Sequence, residues 1–386
     1  MTTTINNEHK KLNVPNLRFK EFEGEWEEST IGEMFDLYSG NTPSRLNKEH
    51  FKGTVNWISS GELKEHYLSS SKEQISEEAA KNLKLLPVGT FVIAIYGLEA
   101  EGVRGTGSIT QEPSTISQAC MSFIPKGVIE NEFLYSWYKK HGNVIGIRYA
   151  QGTKQQNLSY DILEKFRIAY PNTKEQEKLN KFISLLDKRI ATQNKIIEDL
   201  KKLKSAISHI LFSSKCAIRL SDIANVIMGQ SPSSNAYNDQ GIGMPLVQGN
   251  LDISNGNTTP RLYTAEFNQT AEEGNIILTV RAPVGEVAKA TKKVCLGRGV
   301  CAIIPHEENM SDFIYQYLTF YKFMWRKYEQ GSTFTSINGS DVRNIPCPKV
   351  RNVSILTLLD RKINIEERVI KLYKSQKQYM LCQMFI

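Results

Sequence analysis

The sequence has few cysteines and no long hydrophobic run. Its six cysteines are scattered and form no C-x-x-C pair, so neither a zinc site nor a disulfide framework is expected. No stretch approaches the ~20 consecutive apolar residues of a membrane-spanning helix. The first residues contain no apolar signal core. These absences predict a protein of the reducing cytoplasm with no membrane partner.

Motifs of common catalytic sites are also missing. There is no G-x-x-x-x-G-K-[ST] phosphate loop and no G-x-S-x-G nucleophile turn, and residues 102–107 fail the G-x-G-x-x-G dinucleotide pattern. The six histidines lack metal-ligand spacing. The nuclease-like triplet at 62–64 (Glu-Leu-Lys) has a counterpart at 250–252 (Asn-Leu-Asp) without the lysine. The sequence therefore predicts recognition rather than catalysis, with no catalytic residue, metal ligand or cofactor in this chain.

The charge balance is mildly basic. Lysine and arginine total 48 against 41 acidic residues, which gives a net charge of +7. Such a balance permits a polyanionic partner without requiring one.

An apolar seam with the a/d spacing of a coiled-coil helix occurs twice in the sequence. Ile183 and Leu356 open the two copies 173 positions apart (356 − 183), and every later pair keeps this offset. A whole seam in register is strong evidence of an internal repeat. The seam positions are Ile183, Leu186, Ile190, Ile197, Leu200, Ile207 and Leu211 in the first copy, and Leu356, Leu359, Ile363, Ile370, Tyr373, Met380 and Met384 in the second.

Polar residues interrupt both seams at matching positions. Gln193 matches Glu366, and Lys204 matches Lys377. Two such helices in one chain most simply pair with each other, and polar breaks commonly set the register of such a pair. Antiparallel pairing then predicts Lys204 near Glu366 and Lys377 near Gln193, with a pseudo-two-fold relation between the copies.

The stretches before each seam also repeat. The loop at 40–44 matches 229–233, the strand-like run at 88–95 matches 273–280, and the loop at 150–154 matches 329–333. We expect residues 76–85 to form a helix, 90–96 to form a buried strand, and Thr173 to cap the first long helix. The predicted division is a leader (1–24), a first globular domain (25–173), a central helix (174–214), a second globular domain (215–351) and a final helix (352–386).

The loops of both globular domains are rich in side chains that can bond base edges or phosphates. Polar loops rich in glycine, serine and threonine are also common without any ligand, and this alternative stays open for each residue. The candidate DNA-binding residues are Asn41, Thr42, Ser44, Arg45, Ser59, Ser60, Arg104, Lys154, Gln155, Gln156 and Asn157 in the first domain, and Gln230, Ser231, Ser233, Gln248, Asn250, Arg281, Arg298, Thr333 and Thr335 in the second.

This duplicated pattern resembles the specificity subunit of type I restriction–modification systems. The resemblance covers nearly the whole chain and rests on the order of its motifs. They are the opening segment 15–19 (Pro-Asn-Leu-Arg-Phe) with Glu25-Trp26, the paired loops at 40–44 and 229–233, the paired loops at 151–153 and 330–332, and the helices with Leu-Leu-Asp-[Lys/Arg]-[Arg/Lys]-Ile.

The resemblance implies an α+β protein with two mixed α/β target-recognition domains, joined by two long antiparallel coiled-coil helices. Each domain would read one half of a split double-stranded DNA sequence, and the helices would set the unread gap. Catalysis would lie in partners: two methyltransferase subunits that use S-adenosylmethionine, and two restriction subunits that use ATP and Mg.

Two other classes of protein remain open from the residues. One is a two-headed adaptor that binds protein, such as a DNA-mimic or anti-restriction scaffold. The other is a nuclease or methyltransferase whose active site is not recognised.

Overall fold

The computed structural model describes residues 13–152, 156–214, 216–327, 336–349 and 352–386. The chain forms two compact units. The first contains residues 1–193 and 369–386, and the second contains residues 194–368. The two long helices run through both units, so each unit contains one half of each helix.

The first unit is a mixed α/β domain built on a five-stranded sheet of order β2-β9-β6-β7-β4. A three-stranded sheet (β5-β3-β8) and the antiparallel pair β1-β10 complete it. Its strands are β1 (Glu27–Thr30), β2 (Phe35–Ser39), β3 (Val55–Ile58), β4 (Tyr67–Leu68), β5 (Glu73–Ile75), β6 (Phe91–Ala94), β7 (Gly107–Thr110), β8 (Ser114–Ile116), β9 (Cys120–Pro125) and β10 (Arg167–Tyr170). Its short helices are α1 (Ile31–Met34), α2 (Glu77–Ala80), α3 (Asn131–Tyr149) and α4 (Tyr160–Leu163).

The core of the first unit lies between the five-stranded sheet and α3. Strand β6 is apolar on both faces and fully buried, as the sequence predicts for this run. Helix α3 packs Phe133 and Leu134 into the same cluster. Thr30 caps α1 with a capping box to Glu33, so the chain turns where its sequence signals a helix start.

The helix predicted over residues 76–85 is too long. Helix α2 spans only Glu77–Ala80, with Ser76 as its N-cap. Leu86 pairs with Ser114 in a β-bridge, and Pro87 follows at once. These two constraints draw the chain into an extended path before a second turn of helix can form.

The second unit repeats this plan with a six-stranded sheet of order β12-β22-β19-β20-β16-β15 and a five-stranded sheet of order β13-β17-β14-β21-β18. Its strands are β11 (Cys216–Arg219), β12 (Ala224–Met228), β13 (Tyr237–Asn238), β14 (Met244–Val247), β15 (Ile253–Ser254), β16 (Asn257–Thr258), β17 (Leu262–Thr264), β18 (Thr270–Ala271), β19 (Ile276–Thr279), β20 (Val287–Lys289), β21 (Val294–Leu296), β22 (Val300–Pro305) and β23 (Pro346–Pro348). Its short helices are α6 (Ser311–Tyr321) and α7 (Gly339–Arg343).

Strand pairing matches between the two units. The antiparallel ladders β2-β9, β6-β9 and β6-β7 correspond to β12-β22, β19-β22 and β19-β20. The parallel pair β3-β8 corresponds to the parallel pair β14-β21. The repeat predicted from sequence is therefore a repeat of topology as well.

The two long helices are α5 (Thr173–Phe212, 40 residues) and α8 (Ser354–Met384, 31 residues). Thr173 was expected to cap α5, but it is the first helical residue. Asn172 is the cap, because its Oδ1 accepts the Glu175 backbone N–H at 3.0 Å. Every predicted seam position of both helices is buried or half-buried.

Within each unit the halves of α5 and α8 pack antiparallel. In the second unit Lys201 pairs with Glu367 at 2.6 Å, and Lys204 pairs with Asp360 at 2.6 Å. In the first unit Lys377 Nζ lies 2.5 Å from Asp187 Oδ1. The predicted partners Glu366 and Gln193 were therefore wrong for both lysines. The carboxylates that meet the lysines belong to the repeated Leu-Leu-Asp signature.

Candidate nucleic-acid interface

A pocket of about 540 Å³ opens on the second unit where several loops meet. Five of the predicted DNA-binding residues line it, although they are spread over 67 positions of sequence (298 − 231). The lining residues are Ser231, Pro232, Tyr237, Gln248, Gly249, Asn250, Leu251, Asp252, Arg261, Arg281, Ala282, Arg298 and Gly299. The fold therefore brings together Ser231, Gln248, Asn250, Arg281 and Arg298.

Close backbone contacts hold the pocket loops in place. A Cβ on Gly299 would lie 2.0 Å from the Gln248 carbonyl oxygen, so only glycine allows these two loops to touch. The Arg298 backbone N–H donates to Ser231 Oγ at 3.2 Å. The loop carrying Ser231 and the loop carrying Arg298 are thereby fixed to each other.

A buried carboxylate supports the back of the pocket. Asp252 is 3% exposed. Its Oδ2 accepts the Gln248 backbone N–H at 2.8 Å, and its Oδ1 accepts Arg261 Nε at 3.1 Å. Neither Asp252 nor Arg261 is among the binding residues predicted from the sequence. The available signal was an acidic residue followed eight positions later by a Pro-Arg pair, which is weak without the fold.

The pocket carries a positive charge at its rim. Arg281 and Arg298 are exposed, and neither forms an ion pair with any residue that the structure describes. Gln230 and Ser233 lie beside the pocket loop but are not among the lining residues. Thr333 and Thr335 fall outside the described residues.

In the first unit Arg45 is already engaged by the protein. Its guanidinium forms a two-pronged contact with Glu73 at 2.7 and 2.8 Å and lies 4.3 Å from the Phe51 ring centroid and 5.2 Å from that of Trp57. The hydrogen bond to Arg45 lowers the pKa of Glu73, so this carboxylate stays ionised and offsets the charge of Arg45. Arg45 is thus held in a fixed orientation at the surface.

Several predicted residues of the first unit shape the backbone. Asn41 Oδ1 accepts the Thr42 backbone N–H at 2.8 Å, and the Asn41 carbonyl accepts Trp57 Nε1 at 3.0 Å. Ser59 Oγ donates to Glu62 at 2.6 Å. Ser44 and Ser60 lie in the same two loops. These contacts favour the alternative that Asn41 and Ser59 stabilise their own loops and do not bind a ligand.

A second group of predicted residues in the first unit surrounds Gln156. Arg104 Nη2 donates to Gln156 Oε1 at 2.7 Å, and the Gln156 backbone N–H donates to Glu99 Oε2 at 2.8 Å. Asn157 forms a β-bridge with Tyr96. The structure therefore brings Arg104, Gln156 and Asn157 together, while Lys154 and Gln155 lie outside the described residues.

Equivalent bridges place these groups at the same point of both units. Tyr96 bridges to Asn157 in the first unit, and Arg281 bridges to Ser336 in the second. Tyr96 follows β6 and Arg281 follows β19, which are the matching central strands. The two units thus present different side chains from the same place in one scaffold.

A histidine joins the first unit's loops to its helices. His66 Nδ1 lies 3.0 Å from Asp187 Oδ2 of α5 and Nε2 lies 2.9 Å from Glu132 Oε2 of α3, and the ring stacks between Tyr67 and Tyr135. Burial has the largest effect on the pKa of His66 and lowers it, but the hydrogen bonds to both carboxylates outweigh burial and raise the pKa overall. This junction was missed because its members are far apart in the sequence.

Large apolar side chains are exposed on α8 at a spacing of seven. In the second unit they are Leu358 (60% exposed) and Ile365, and in the first unit they are Leu372 (68% exposed) and Tyr379. They lie off the seam, which is already filled. Regularly spaced apolar residues on an exposed helical face are typical of a protein-binding surface.

Neither a metal-binding cluster nor a helix able to cross a membrane occurs among the described residues. Among those residues no group of three or more His, Cys, Asp or Glu side chains is arranged to hold a metal ion. Within the same ranges no helix combines the length and the hydropathy that crossing a bilayer requires.

Known proteins are similar to this chain in both sequence and fold. It is 30% identical over 231 residues to the putative type I restriction enzyme MjaX specificity subunit of Methanocaldococcus jannaschii. This match covers 54% of each chain. It is 31% identical over 210 residues to the type I restriction enzyme EcoR124I/EcoR124II specificity subunit of Escherichia coli, covering 52% of this chain and 50% of that one. The chain thus spans about half the length of the curated relatives it matches.

The crystal structure of a type I restriction-modification system S subunit from M. genitalium has a similar fold, with a TM-score of 0.62. The match covers 97% of this chain and 99% of that one at 19% sequence identity. This likeness confirms the predicted α+β fold with two mixed α/β domains and long antiparallel helices.

The family described as type I restriction modification DNA specificity domain matches residues 23–202 and again residues 216–372. The double match follows the internal repeat and confirms the resemblance predicted from the motifs. It favours DNA specificity over the adaptor alternative. The chain therefore belongs to the type I restriction modification DNA specificity domain family.

Proposed function

We propose that this chain is the sequence-reading subunit of a type I restriction–modification enzyme, and that each unit reads one half of a bipartite double-stranded DNA target. One observation carries the proposal. The two units share a scaffold but present different polar and basic side chains after the matching strands β6 and β19. Two readers of different half-sites need this combination of a constant frame and divergent loops.

The chemistry of the pocket in the second unit suits DNA. Arginine and glutamine can make paired hydrogen bonds to base edges, while serine hydroxyls and free arginines can bind phosphates. Gln248, Ser231, Arg281 and Arg298 supply these groups around one opening.

Partner subunits carry the catalysis in this proposal. Two methyltransferase subunits would methylate adenine at N6 with S-adenosylmethionine, and two restriction subunits would use ATP and Mg, all in the cytoplasm. The exposed apolar residues of α8 support a role of this helix in docking a partner subunit. Leu358 in the second unit and Leu372 in the first do not belong to the seam and are exposed to solvent. Burying such side chains against a partner contributes about 1.5–3 kcal/mol each.

Methylome sequencing tests the function directly. The chain would be expressed with its methyltransferase subunit in a host that lacks other adenine methylation. The proposal predicts a new N6-methyladenine motif made of two fixed blocks around a constant gap. A soluble, associated complex that methylates no such motif would overturn the proposal and revive the adaptor alternative.

A further inference from the structure

Arg261 is anchored through its Nε at the pocket of the second unit. Its Nε donates to Asp252 Oδ1 at 3.1 Å, and Asp252 is itself fixed by the Gln248 backbone N–H at 2.8 Å. Asp252 is almost fully buried. A buried carboxylate is costly unless it is paired and hydrogen-bonded, so the contact with Arg261 is favoured even without a ligand.

The position of this hydrogen bond matters. Because Asp252 accepts a hydrogen bond from Nε of Arg261, the two terminal amino groups of the guanidinium remain for another partner. The Arg261 side chain is 58% exposed and lines the pocket, so those groups are accessible. Two parallel N–H donors match the O6 and N7 acceptors of guanine in the major groove.

Fixing the guanidinium in advance also favours base reading over phosphate binding. An arginine pays rotamer entropy when it is ordered on a ligand, and a side chain ordered beforehand avoids this cost. A phosphate contact does not need such geometry, because a mobile cation can follow the backbone. Arg281 and Arg298 are not oriented by a carboxylate in this way, since neither forms an ion pair with a described residue.

We propose that Arg261 is a specificity-determining residue that reads a guanine in the half-site of the second unit, that Asp252 is its positioning residue, and that Arg281 and Arg298 bind phosphates. This inference rests on the proposed function. Of the three arginines that line this pocket, one would then read the DNA sequence, and the other two would bind DNA of any sequence.

The test selects preferred sequences from random duplex DNA with the chain in complex with its methyltransferase. The variants are R261Q, R261K and D252N, with R298Q for comparison. Binding to the selected duplex and to every single-base variant of it is then measured at several salt concentrations. Thermal unfolding of each variant shows whether its fold is intact.

The expected results differ between the arginines. R261Q and R261K reduce the preference for guanine at one position by about tenfold or more, because lysine keeps the charge but not the paired donors. D252N reduces the preference for guanine at the same position more than it weakens binding to other sequences, since the charge of Arg261 remains. R298Q weakens binding to all duplexes alike and lowers the salt dependence by about one phosphate contact.

Other results would overturn the inference. The proposal fails if R261Q and R261K keep the wild-type base preference. It also fails if R261Q weakens binding to all duplexes equally, because Arg261 is then a phosphate contact. Should D252N unfold, the exposed Arg261 variants still decide the question. If the wild-type complex selects no sequence at all, the proposed function itself fails.

Discussion

Lys204 Nζ lies 2.6 Å from Asp360 Oδ1 across the two helices of the second unit. The first unit has the same pair as Lys377 and Asp187, 2.5 Å apart. Each member stands at the matching position of the 173-residue repeat (360 − 187 and 377 − 204). The internal repeat thus places an equivalent ion pair between the two antiparallel helices of each unit. The four side chains are between 15% and 31% exposed.

Breaking the pair in the second unit should destabilise it. K204L leaves Asp360 half-buried with Gln316 as its remaining partner, at 2.6 Å. We expect a loss of about 1–3 kcal/mol in the free energy of unfolding, measured by chemical denaturation. The double variant K204L/D360L should recover part of this loss, since no charge is then left unpaired.

A matched control uses an exposed pair on the same helix. Lys202 and Glu198 are joined at 2.6 Å with most of both side chains in solvent, so K202A should leave the unfolding curve unchanged. If K204L were as mild as K202A, the pair would not fix the helices.

The stability of the first unit should depend on pH through His66. Its pKa is raised above the usual 6.5 because the hydrogen bonds to Asp187 and Glu132 outweigh burial, the largest single effect. A raised pKa means that the added stability is fully present below pH 6.5 and is lost as pH rises through the higher folded value. The melting temperature of the wild type should therefore fall over this range.

The variant H66Q should remove that dependence. Its melting temperature should lie below that of the wild type at pH 6 and approach it at higher pH. The variant H306Q, which alters an exposed histidine, serves as the control and should keep the wild-type profile. Parallel profiles for wild type and H66Q would mean that folding does not shift the pKa of His66.

Two glycines that line the pocket of the second unit should differ in how much their substitution by alanine lowers stability. A Cβ on Gly299 would lie 2.0 Å from the Gln248 carbonyl oxygen, whereas nothing lies within 4 Å of a Cβ on Gly249. Gly249 has an extended backbone (φ 177°) that any residue adopts. G299A should cost about 1–3 kcal/mol of stability and displace the Gln248 loop, while G249A should unfold like the wild type. Equal denaturation midpoints for the two variants would contradict this packing.

The apolar residues exposed on α8 should matter for assembly rather than folding. L358E or L372E should weaken association with the methyltransferase, measured by co-purification and calorimetry, and leave the melting temperature unchanged, because both side chains are already in solvent. The control is Q376E, an exposed polar position of the same helix. Full association of both leucine variants would place the methyltransferase elsewhere.

The repeat and the helices could be predicted from sequence because periodicity is a local signal. The seam residues from Ile183 to Met384 are buried or half-buried as expected, and β6 forms where the sequence is apolar on both faces. The same reasoning placed Lys204 against the wrong acid. Register depends on the packing of whole helices, which a list of polar breaks does not specify.

The candidate interface was only partly predictable. Gln248 and Arg298 were predicted because their types are common readers of DNA, and the fold places them in one pocket. Asp252, Arg261 and His66 were missed, since the importance of each comes from a partner that only the fold brings close. Asn41 and Ser59 have suitable types, yet the structure uses them to hold their own loops.

The central claim is that each unit reads its own half of a split target. The most direct measurement is methylome sequencing of a chimera in which residues 27–170 come from another specificity subunit, expressed with the same methyltransferase. These residues run from β1 to β10 and leave both long helices intact. The account predicts that one block of the methylated motif changes while the other block stays the same. A chimera in which both blocks change, or neither does, would contradict it.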